Sequence, residues 1–408
     1  MNLKNKKILL IIGGGISAYK SLDLIRLLQR KGCSVKVILT KTGKNFVTSL
    51  SVSSLSKNRV FEDTFDEKKT GKMDHIYLSR WADAILVLPA TANFMSKLSR
   101  GSADDLATTV ILAADKETFL IPAMNVRMWE HKATRKNLNT LFGFGYKFIG
   151  PVDGEMACGE YGKGKMSSPR QVISYLEKFF KNRNFLKKKN IRAIITSGPT
   201  REYIDPVRYI SNESSGKQGY EIALELSRLG IKTTLVSGPT NINYSKEIKV
   251  KKITTGKQMF GEIKKILPTD IVVCTAAVSD FKPIIKNKQK LKKKTNFDKI
   301  QLEKNPDILE YLGKNNKYKP KILVGFSAET ENVIENSLEK MREKHCDIIV
   351  ANDVSKKETG FNVDLNEVVI IDKNGDTQSI KKSSKKFIAS ILARKIINSF
   401  LDINKRLN

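Results

Sequence analysis

The chain has 408 residues, of which 40% are apolar and 28% charged, which is the composition of a water-soluble protein and the length of two domains. No apolar run is long enough to span a bilayer, and four scattered cysteines with three histidines argue against a disulfide framework or a zinc site. The net charge of +31 is spread along the chain without a nucleic-acid-binding motif, so we expect no specific nucleic-acid partner and no membrane partner.

The N-terminal half alternates apolar runs with amphipathic stretches. Four buried strands are predicted, at residues 6–12, 33–40, 82–90 and 117–125. A helix follows the first strand, since Leu22, Ile25 and Leu28 recur at helical spacing. Such alternation is typical of βαβ units with a parallel sheet. The polar start runs directly into a strand, which predicts no signal peptide and a cytoplasmic protein.

The alternation restarts after residues 183–190, which are charged and aperiodic and predict a linker. Five further strands are predicted, at residues 191–200, 233–239, 270–280, 321–329 and 346–353. Asn374-Gly375 predicts a β-hairpin, and a helix over about 384–401 closes the domain. The sequence therefore predicts an α/β protein with two doubly wound, Rossmann-like domains in series, at 1–182 and 191–408, the second carrying a β-hairpin extension.

The segment Pro283–Gln301 is basic and has no helical periodicity. We expect a mobile loop there. It follows a strand end, where ligands bind in open sheets, so it can close over a ligand; a solvated connection is the alternative.

Three glycines, Gly13–Gly15, follow the first strand and precede a helix. Backbone N–H groups in such a loop, together with the helix N-terminus, can hold a phosphate. The third-glycine spacing of the dinucleotide fingerprint is absent, and the second strand ends in Thr40-Lys41 without an acidic residue. The pattern favours a mononucleotide over NAD.

Four further motifs lie at strand ends or in loops: PATANF (Pro89–Phe94), GSADDL (Gly101–Leu106), PAMNVRMW (Pro122–Trp129) and ACGEYGKGKM (Ala157–Met166). With the glycine loop they resemble the flavin-dependent cysteine decarboxylases, in particular phosphopantothenoylcysteine decarboxylase, over nearly all of residues 5–180. The resemblance implies an FMN cofactor. The residues expected to bind it are Gly13, Gly14, Gly15, Ser17, Thr40, Pro89, Ala90, Thr91 and Asn93. The chain departs from the family at Gly13, commonly a hydroxyl residue, and at Lys165, commonly an Arg with its planar fork.

Decarboxylation of a cysteine needs an electron sink, and the sequence has no motif for a Schiff-base cofactor. A flavin can provide the sink by oxidising the thiol, because carbon dioxide leaves readily once a C=S group stands β to the carboxylate. The resemblance implies that His75 is the base, that Asn125 holds the substrate carboxylate, and that Cys158 donates a proton during reduction. It also places Met128 and Lys165 in substrate binding. Taken singly, His75 could equally be a surface histidine, Asn125 a helix cap and Cys158 a core thiol.

In the second half, the loop Ile195–Gly219 combines Gly, Pro, Ser and Arg after a strand, which suits anionic groups. The GxxxxGK[ST] spacing is absent, which argues against a P-loop ATPase or a kinase. Four more motifs follow, TAAVSDF (Thr275–Phe281), EKNPDIL (Glu303–Leu309), VGFSAET (Val324–Thr330) and ANDV (Ala351–Val354). Together they resemble phosphopantothenate–cysteine ligase over about residues 190–400.

This second resemblance implies CTP, cysteine and 4'-phosphopantothenate as substrates, with Mg²⁺ held through the nucleotide phosphates. Asn212 would bind the acyl-cytidylate intermediate. The expected CTP-binding residues are Ala276, Asp280, Lys290, Asn305, Pro306, Asp307, Ile308, Phe326, Lys340 and Lys344. Lys340 and Lys344 share a helix face, whereas the register of Lys290 stays open because Lys288, Lys292 and Lys293 are neighbours.

Both halves together predict a bifunctional enzyme of coenzyme A biosynthesis, in which the ligase product is the decarboxylase substrate. The resemblance also implies a homo-oligomer, with trimers of the flavin domain and dimers of the ligase domain. One alternative is a non-catalytic regulatory flavoprotein subunit on the same fold, against which the presence of His75, Asn125 and Cys158 argues. The other is a chain with only one active half.

Overall fold

The computed structural model describes residues 3–62, 73–292, 299–355 and 365–406. The chain divides into two units, Met1–Asn182 and Arg183–Asn408. The strands of the first unit are β1 (Lys7–Ile12), β2 (Ser34–Leu39), β3 (Val60–Phe61), β4 (Ala84–Ala90), β5 (Glu117–Pro122), β6 (Lys147–Phe148), β7 (Val152–Glu155) and β8 (Tyr161–Lys165). The first six pair in parallel in the order β3-β2-β1-β4-β5-β6, and β7 and β8 form an antiparallel hairpin.

Helices and short 3₁₀ turns connect these strands. The helices are α1 (Lys20–Arg30), α2 (Ser49–Ser56), α3 (Asp74–Trp81), α4 (Ala92–Ser99), α5 (Leu106–Ala113), α6 (Val126–Glu130), α7 (Lys132–Phe144) and α8 (Pro169–Lys188). The four predicted strands and the predicted helix α1 are confirmed. Strands β3 and β6 were not predicted because two residues are too few to give an apolar pattern. The β7–β8 hairpin was not predicted because its sequence is rich in glycine.

Strand β1 shows why the apolar runs of this sheet are continuous. Ile8, Leu10 and Ile12 belong to one buried cluster, whereas Leu9 and Ile11 belong to another. Successive side chains of a strand point to opposite faces, so the sheet is covered on both sides, as parallel sheets generally are. Burial of each such side chain contributes roughly 1.5–3 kcal/mol.

The second unit repeats this architecture with additions. Its strands are β9 (Arg192–Ser197), β10 (Glu202–Tyr203), β11 (Tyr209–Ile210), β12 (Lys232–Ser237), β13 (Lys249–Lys252), β14 (Ile271–Cys274), β15 (Phe281–Pro283), β16 (Leu302–Lys304), β17 (Ile322–Glu329), β18 (Ile348–Asp353), β19 (Leu365–Asp372) and β20 (Thr377–Ser384). The main sheet has the order β13-β12-β9-β14-β17-β18-β19-β20 and is parallel up to β18. Its helices are α9 (Lys217–Arg228), α10 (Gly256–Ile266), α11 (Ile308–Lys314), α12 (Val333–Glu343) and α13 (Lys385–Arg406).

The predicted strands and hairpin of this unit are confirmed. At the hairpin turn the Gly375 N–H donates to the Asp372 carbonyl at 2.9 Å, and Gly375 has a φ of +86°, which favours glycine. The interpretation of 183–190 as an aperiodic linker is wrong for its first part, since α8 continues through Lys188. Leu186 is buried in the core of the second unit and Phe185 packs against that core, so apolar contacts extend the helix.

The basic segment Pro283–Gln301 connects β15 to β16, which pair as an antiparallel arm with Phe281 opposite Lys304. Residues 293–298 of this segment lie outside the described part, so its predicted closure over a ligand stays a prediction.

Candidate active sites

The first candidate site lies where the strand order of the first sheet reverses, between β1 and β4. Ligands of open α/β sheets bind in the crevice that such a reversal leaves at the carboxyl ends of the strands. A cleft of about 510 Å³ opens there. It gathers six of the predicted residues, Gly15, Ser17, Pro89, Asn125, Cys158 and Lys165.

Gly13 and Gly14 allow close approach between loops at the border of this cleft. A Cβ atom at Gly13 would lie 2.5 Å from the Pro89 carbonyl oxygen, and one at Gly14 would lie 2.5 Å from the Thr42 Cβ. Neither contact is sterically possible without movement of the chain, so a hydroxyl residue at position 13 would require Pro89 to shift. The bare backbone suits a phosphate held by N–H groups, and a flavin mononucleotide fits this arrangement.

Four other predicted cofactor residues are not among the described residues that line the cleft. Thr40 Oγ1 donates to the Ile12 carbonyl at 2.9 Å, and Thr91 Oγ1 caps α4 by accepting from the Phe94 N–H at 3.2 Å. Ala90 is buried at the end of β4, and Asn93 is exposed in the first turn of α4.

Asn125 reaches the cleft from the end of β5. Its Oδ1 accepts a hydrogen bond from the Met128 N–H at 2.8 Å and thereby caps α6. The role of helix cap, the alternative interpretation of Asn125 from the sequence alone, is therefore present. The cap uses the carbonyl oxygen only, so the amide nitrogen of Asn125 stays a donor for a ligand in the cleft.

Cys158 lies in the turn that joins β7 to β8, where the Gly159 N–H donates to the Met156 carbonyl at 2.9 Å. All four cysteines are described, and Cys158 alone is exposed. Burial raises the pKa of Cys33 to about 11 and that of Cys346 to about 12. Burial also raises the pKa of Cys274. Cys158 is therefore the thiol available for chemistry.

Lys20 and Lys165 place two cations in the same cleft. Burial and, after it, the charge of Lys165 lower the pKa of Lys20. Two ammonium groups in one cleft attract an anion such as a phosphate. Lys165 was predicted from its motif and Lys20 was not, although the position of Lys20 at the start of the helix after the glycine loop was a usable signal.

His75 does not join Cys158 and Asn125 among the described residues that line the cleft. It is half-buried in the first turn of α3. The same helix borders a separate shallow groove of about 470 Å³, lined by Met73, Ile76, Tyr77, Arg80 and Trp81. Met73 is 64% and Tyr77 44% exposed. Met128 is likewise exposed outside the cleft.

The second candidate site lies at the corresponding reversal of the second sheet, between β9 and β14. The loops after these strands are joined by hydrogen bonds. The Ala277 N–H donates to the Gly198 carbonyl at 3.0 Å, and its carbonyl accepts from the Thr200 N–H at 3.2 Å. The Ala276 N–H donates to Thr196 Oγ1 at 3.2 Å. This edge of the sheet is therefore a fixed platform.

Asn212, Asp280 and Asn305 meet on this platform. Asn212 Nδ2 donates to the Val278 carbonyl at 3.1 Å, and the Asn305 N–H donates to the Asp280 carbonyl at 2.8 Å. Asn305 Nδ2 donates to the Ser279 carbonyl at 2.8 Å. Within the described chain, Asn305 Oδ1 is buried without a hydrogen-bond partner. A buried acceptor of this kind calls for a donor, which a bound ligand can provide.

Asp307 caps α11, accepting from the Glu310 N–H at 2.8 Å. The Lys344 ammonium lies 3.1 Å from Asp307 Oδ2 and 3.0 Å from Glu310 Oε2. Hydrogen bonds from Lys314 and Lys344 lower the pKa of Glu310 to about 2. A nucleotide phosphate would have to compete with two carboxylates for Lys344.

The remaining predicted nucleotide residues occupy several elements. Ile308 is buried at the start of α11, next to the half-buried Pro306, and Phe326 is half-buried in β17. Lys340 is half-buried on α12, and its carbonyl accepts from the Lys344 N–H at 3.0 Å. Lys290 is exposed in the basic segment.

Across the described residues, no group of three or more His, Cys, Asp or Glu side chains could hold a metal ion. In the same part of the chain, no helix is both long and apolar enough to cross a membrane.

Comparison with known proteins gives matches to both units. Residues 1–181 match the family described as Flavoprotein, and residues 188–400 match the DNA/pantothenate metabolism flavoprotein C-terminal domain.

Relatives match over nearly the whole chain. The Coenzyme A biosynthesis bifunctional protein CoaBC of Haemophilus influenzae is 40% identical over 98% of this chain and 99% of its own length. The protein of the same name from Bacillus subtilis is 39% identical over 94% of each chain. A crystal structure of the C-terminal domain of a CoaBC protein is 36% identical, covers 52% of this chain and 96% of its own, and has a TM-score of 0.44.

Proposed function

The chain belongs to the family of bifunctional coenzyme A biosynthesis proteins, with a decarboxylase unit and a phosphopantothenate–cysteine ligase unit, and we propose how its two sites divide the work. The second unit activates 4'-phosphopantothenate with CTP and couples it to cysteine. The first unit converts the resulting acylcysteine to 4'-phosphopantetheine with FMN. The observation that carries this division is that each sheet has its own strand reversal, the place where open α/β sheets bind ligands, and that residues expected for one of the reactions lie at each.

In the decarboxylase site, the loop Gly13–Ser17 would hold the phosphate of FMN, and Pro89, which lines the same cleft, would contact the cofactor. When bound, FMN would supply the two-electron redox chemistry by which the substrate thiol is oxidised and, after loss of carbon dioxide, the product is reduced. Asn125 orients the substrate carboxylate through the amide nitrogen that its helix cap does not use. Cys158, exposed in its turn, gives a proton to carbon as the product is reduced. Lys20 and Lys165 balance the substrate phosphate.

A second copy of the chain completes this site. His75 lies outside the cleft of its own chain and beside a groove with exposed Met73 and Tyr77, as expected if another flavin unit packs there. Packing through this groove in a trimer would bring His75 to a neighbouring cleft. A Tyr77→Glu variant should lower both the molecular mass in native mass spectrometry and the decarboxylase rate. A variant that stays oligomeric and active would count against this contact.

In the ligase site, Asn212 holds the acyl-cytidylate, and Asn305 offers its buried oxygen to the nucleotide. Lys290 and Lys340 meet the phosphates. Mg²⁺ enters with the nucleotide, held through its phosphates. Asp280 and Phe326 border the nucleotide, and Lys344 fixes the start of α11 through Asp307 and Glu310.

The ligase unit also presents apolar side chains on its two small hairpins. Val207 is 57%, Ile284 52% and Ile285 68% exposed, so we assign this face to the ligase dimer.

We place the protein in the cytoplasm.

Two measurements test the assignments of cofactor and nucleotide. The purified protein should be yellow with flavin absorbance, and the flavin released by denaturation should be FMN by chromatography. Pyrophosphate release from phosphopantothenate should be at least tenfold faster with CTP than with ATP. A colourless protein that does not take up FMN would overturn the first assignment, and equal rates with both nucleotides would overturn the second.

A further inference from the structure

We propose that Asp205 is a positioning residue of the ligase reaction, which holds Lys290 at the nucleotide site by fixing the backbone of the next residue, Leu291. The inference rests on the proposed phosphate-binding role of Lys290 and identifies what places that lysine.

Asp205 is fully buried in the connection between β10 and β11. Its Oδ1 accepts hydrogen bonds from the Val207 and Arg208 N–H groups, both at 2.8 Å, and so shapes the local turn. Its Oδ2 is directed elsewhere and accepts from the Leu291 N–H at 3.3 Å. One carboxylate therefore connects a rigid turn to the basic segment.

Arg208 provides the second contact. Its Nη2 donates to the Leu291 carbonyl at 3.0 Å, while its Nε lies 3.8 Å from Asp205 Oδ2. Both backbone groups of Leu291 are thus held by the Asp205–Arg208 pair. Four residues earlier, the Asn287 N–H donates to the Ile204 carbonyl at 2.9 Å. The basic segment is attached at two points, and Lys290 lies between them.

This attachment matters because Lys290 is exposed and belongs to a long connection. A free loop must lose backbone freedom when its ligand binds, which weakens affinity, whereas an attached residue has lost that freedom on folding. A neutral amide cannot replace the carboxylate, because Leu291 and Arg208 present donors to the same oxygen.

Asp205→Asn tests the inference selectively. The Asn oxygen can keep the two bonds of the turn, whereas its Nδ2 faces the Leu291 N–H with a second donor. We expect the KM for CTP to rise roughly 10- to 100-fold, with a smaller effect on kcat, as for a lost hydrogen bond to a charged group. Hydrogen exchange at the Leu291 amide should accelerate by a similar factor. Leu291→Pro removes the donor without touching the turn and should raise the KM in the same way, which covers a folding failure at Asp205.

Asp347→Asn is the matched control. Asp347 also accepts a backbone hydrogen bond, from the Leu323 N–H at 2.9 Å, but it lies at the amino ends of the strands. This variant should keep the wild-type KM for CTP. If it raises the KM as much as Asp205→Asn does, a general loss of stability explains both, and the inference is wrong.

Lys290→Gln separates failure of the inference from failure of the proposed site. If Asp205 acts through Lys290, the double variant Asp205→Asn/Lys290→Gln should be no slower than Lys290→Gln. Multiplied losses, or a slow Lys290→Gln beside a normal Asp205→Asn, would overturn the positioning role alone. A Lys290→Gln protein with wild-type kcat/KM would overturn the role of Lys290, and the inference with it.

Discussion

Replacement of Asn125 by Asp separates the two functions of this side chain. Asp caps a helix about as well as Asn, so the bond to the Met128 N–H should persist and the free energy of unfolding should change by less than about 0.5 kcal/mol. The second carboxylate oxygen, however, replaces the amide donor and faces the substrate carboxylate. Two charges about 4 Å apart at an effective dielectric constant of about 20 repel by about 4 kcal/mol, and each 1.36 kcal/mol is a factor of about ten. The decarboxylase kcat/KM should therefore fall by about 10³.

The assay is carbon dioxide release from 4'-phosphopantothenoylcysteine by FMN-loaded protein, with urea unfolding measured on the same samples. Asn125→Ala is the control, because it loses both the cap and the donor. It should lower the free energy of unfolding by about 1 kcal/mol. An Asp variant that decarboxylates within tenfold of the wild type, or that is as unstable as the Ala variant, would contradict these two roles of Asn125.

Three further changes test other parts of the molecule. Cys158→Ser should lower the rate of phosphopantetheine formation, followed by chromatography, by about 10²- to 10⁴-fold while flavin absorbance stays constant. Formation of phosphopantetheine at the wild-type rate would contradict a proton-donor role. Glu310 has a pKa lowered from 4.5 to about 2, so its stabilising contribution is complete above pH 4.5 and is lost as the pH falls toward 2. The free energy of unfolding of Glu310→Gln, measured in urea, should therefore depend less on pH over this window. A pH profile parallel to that of the wild type would show that the ion pairs of Glu310 do not cause the pH dependence. Phe119→Ala should cost the first unit roughly 3–5 kcal/mol, since the ring is fully buried and packs edge-on against Phe179; a loss below 1 kcal/mol in calorimetry would contradict that packing.

The main strands of both sheets could be predicted because each sheet is covered on both of its faces. Such strands give unbroken apolar runs such as Ile8–Ile12, which stand out in a single sequence. The continuation of α8 was not predicted, because the residues around it are mostly charged. Only Phe185 and Leu186 contact the apolar core of the second unit there.

The sites were predictable only where a motif marks a strand end or a glycine-rich loop. Asn125 and Cys158 fall in such motifs, and the fold brings them to one cleft. The separation of His75 from that cleft has no local signal, since the sequence around it does not say which surface it faces. The contact between Asp205 and Leu291 joins residues 86 positions apart, and no periodicity records it.

Simultaneous measurement of all three products distinguishes a bifunctional chain from a chain with one active unit. The purified chain is supplied with FMN, Mg²⁺, CTP, cysteine and 4'-phosphopantothenate, and pyrophosphate, carbon dioxide and 4'-phosphopantetheine are measured together. Two active units in one chain predict that all three appear at equal rates once the acylcysteine has reached its steady level. Pyrophosphate with accumulating acylcysteine and no carbon dioxide, or no pyrophosphate at all, would contradict a bifunctional enzyme.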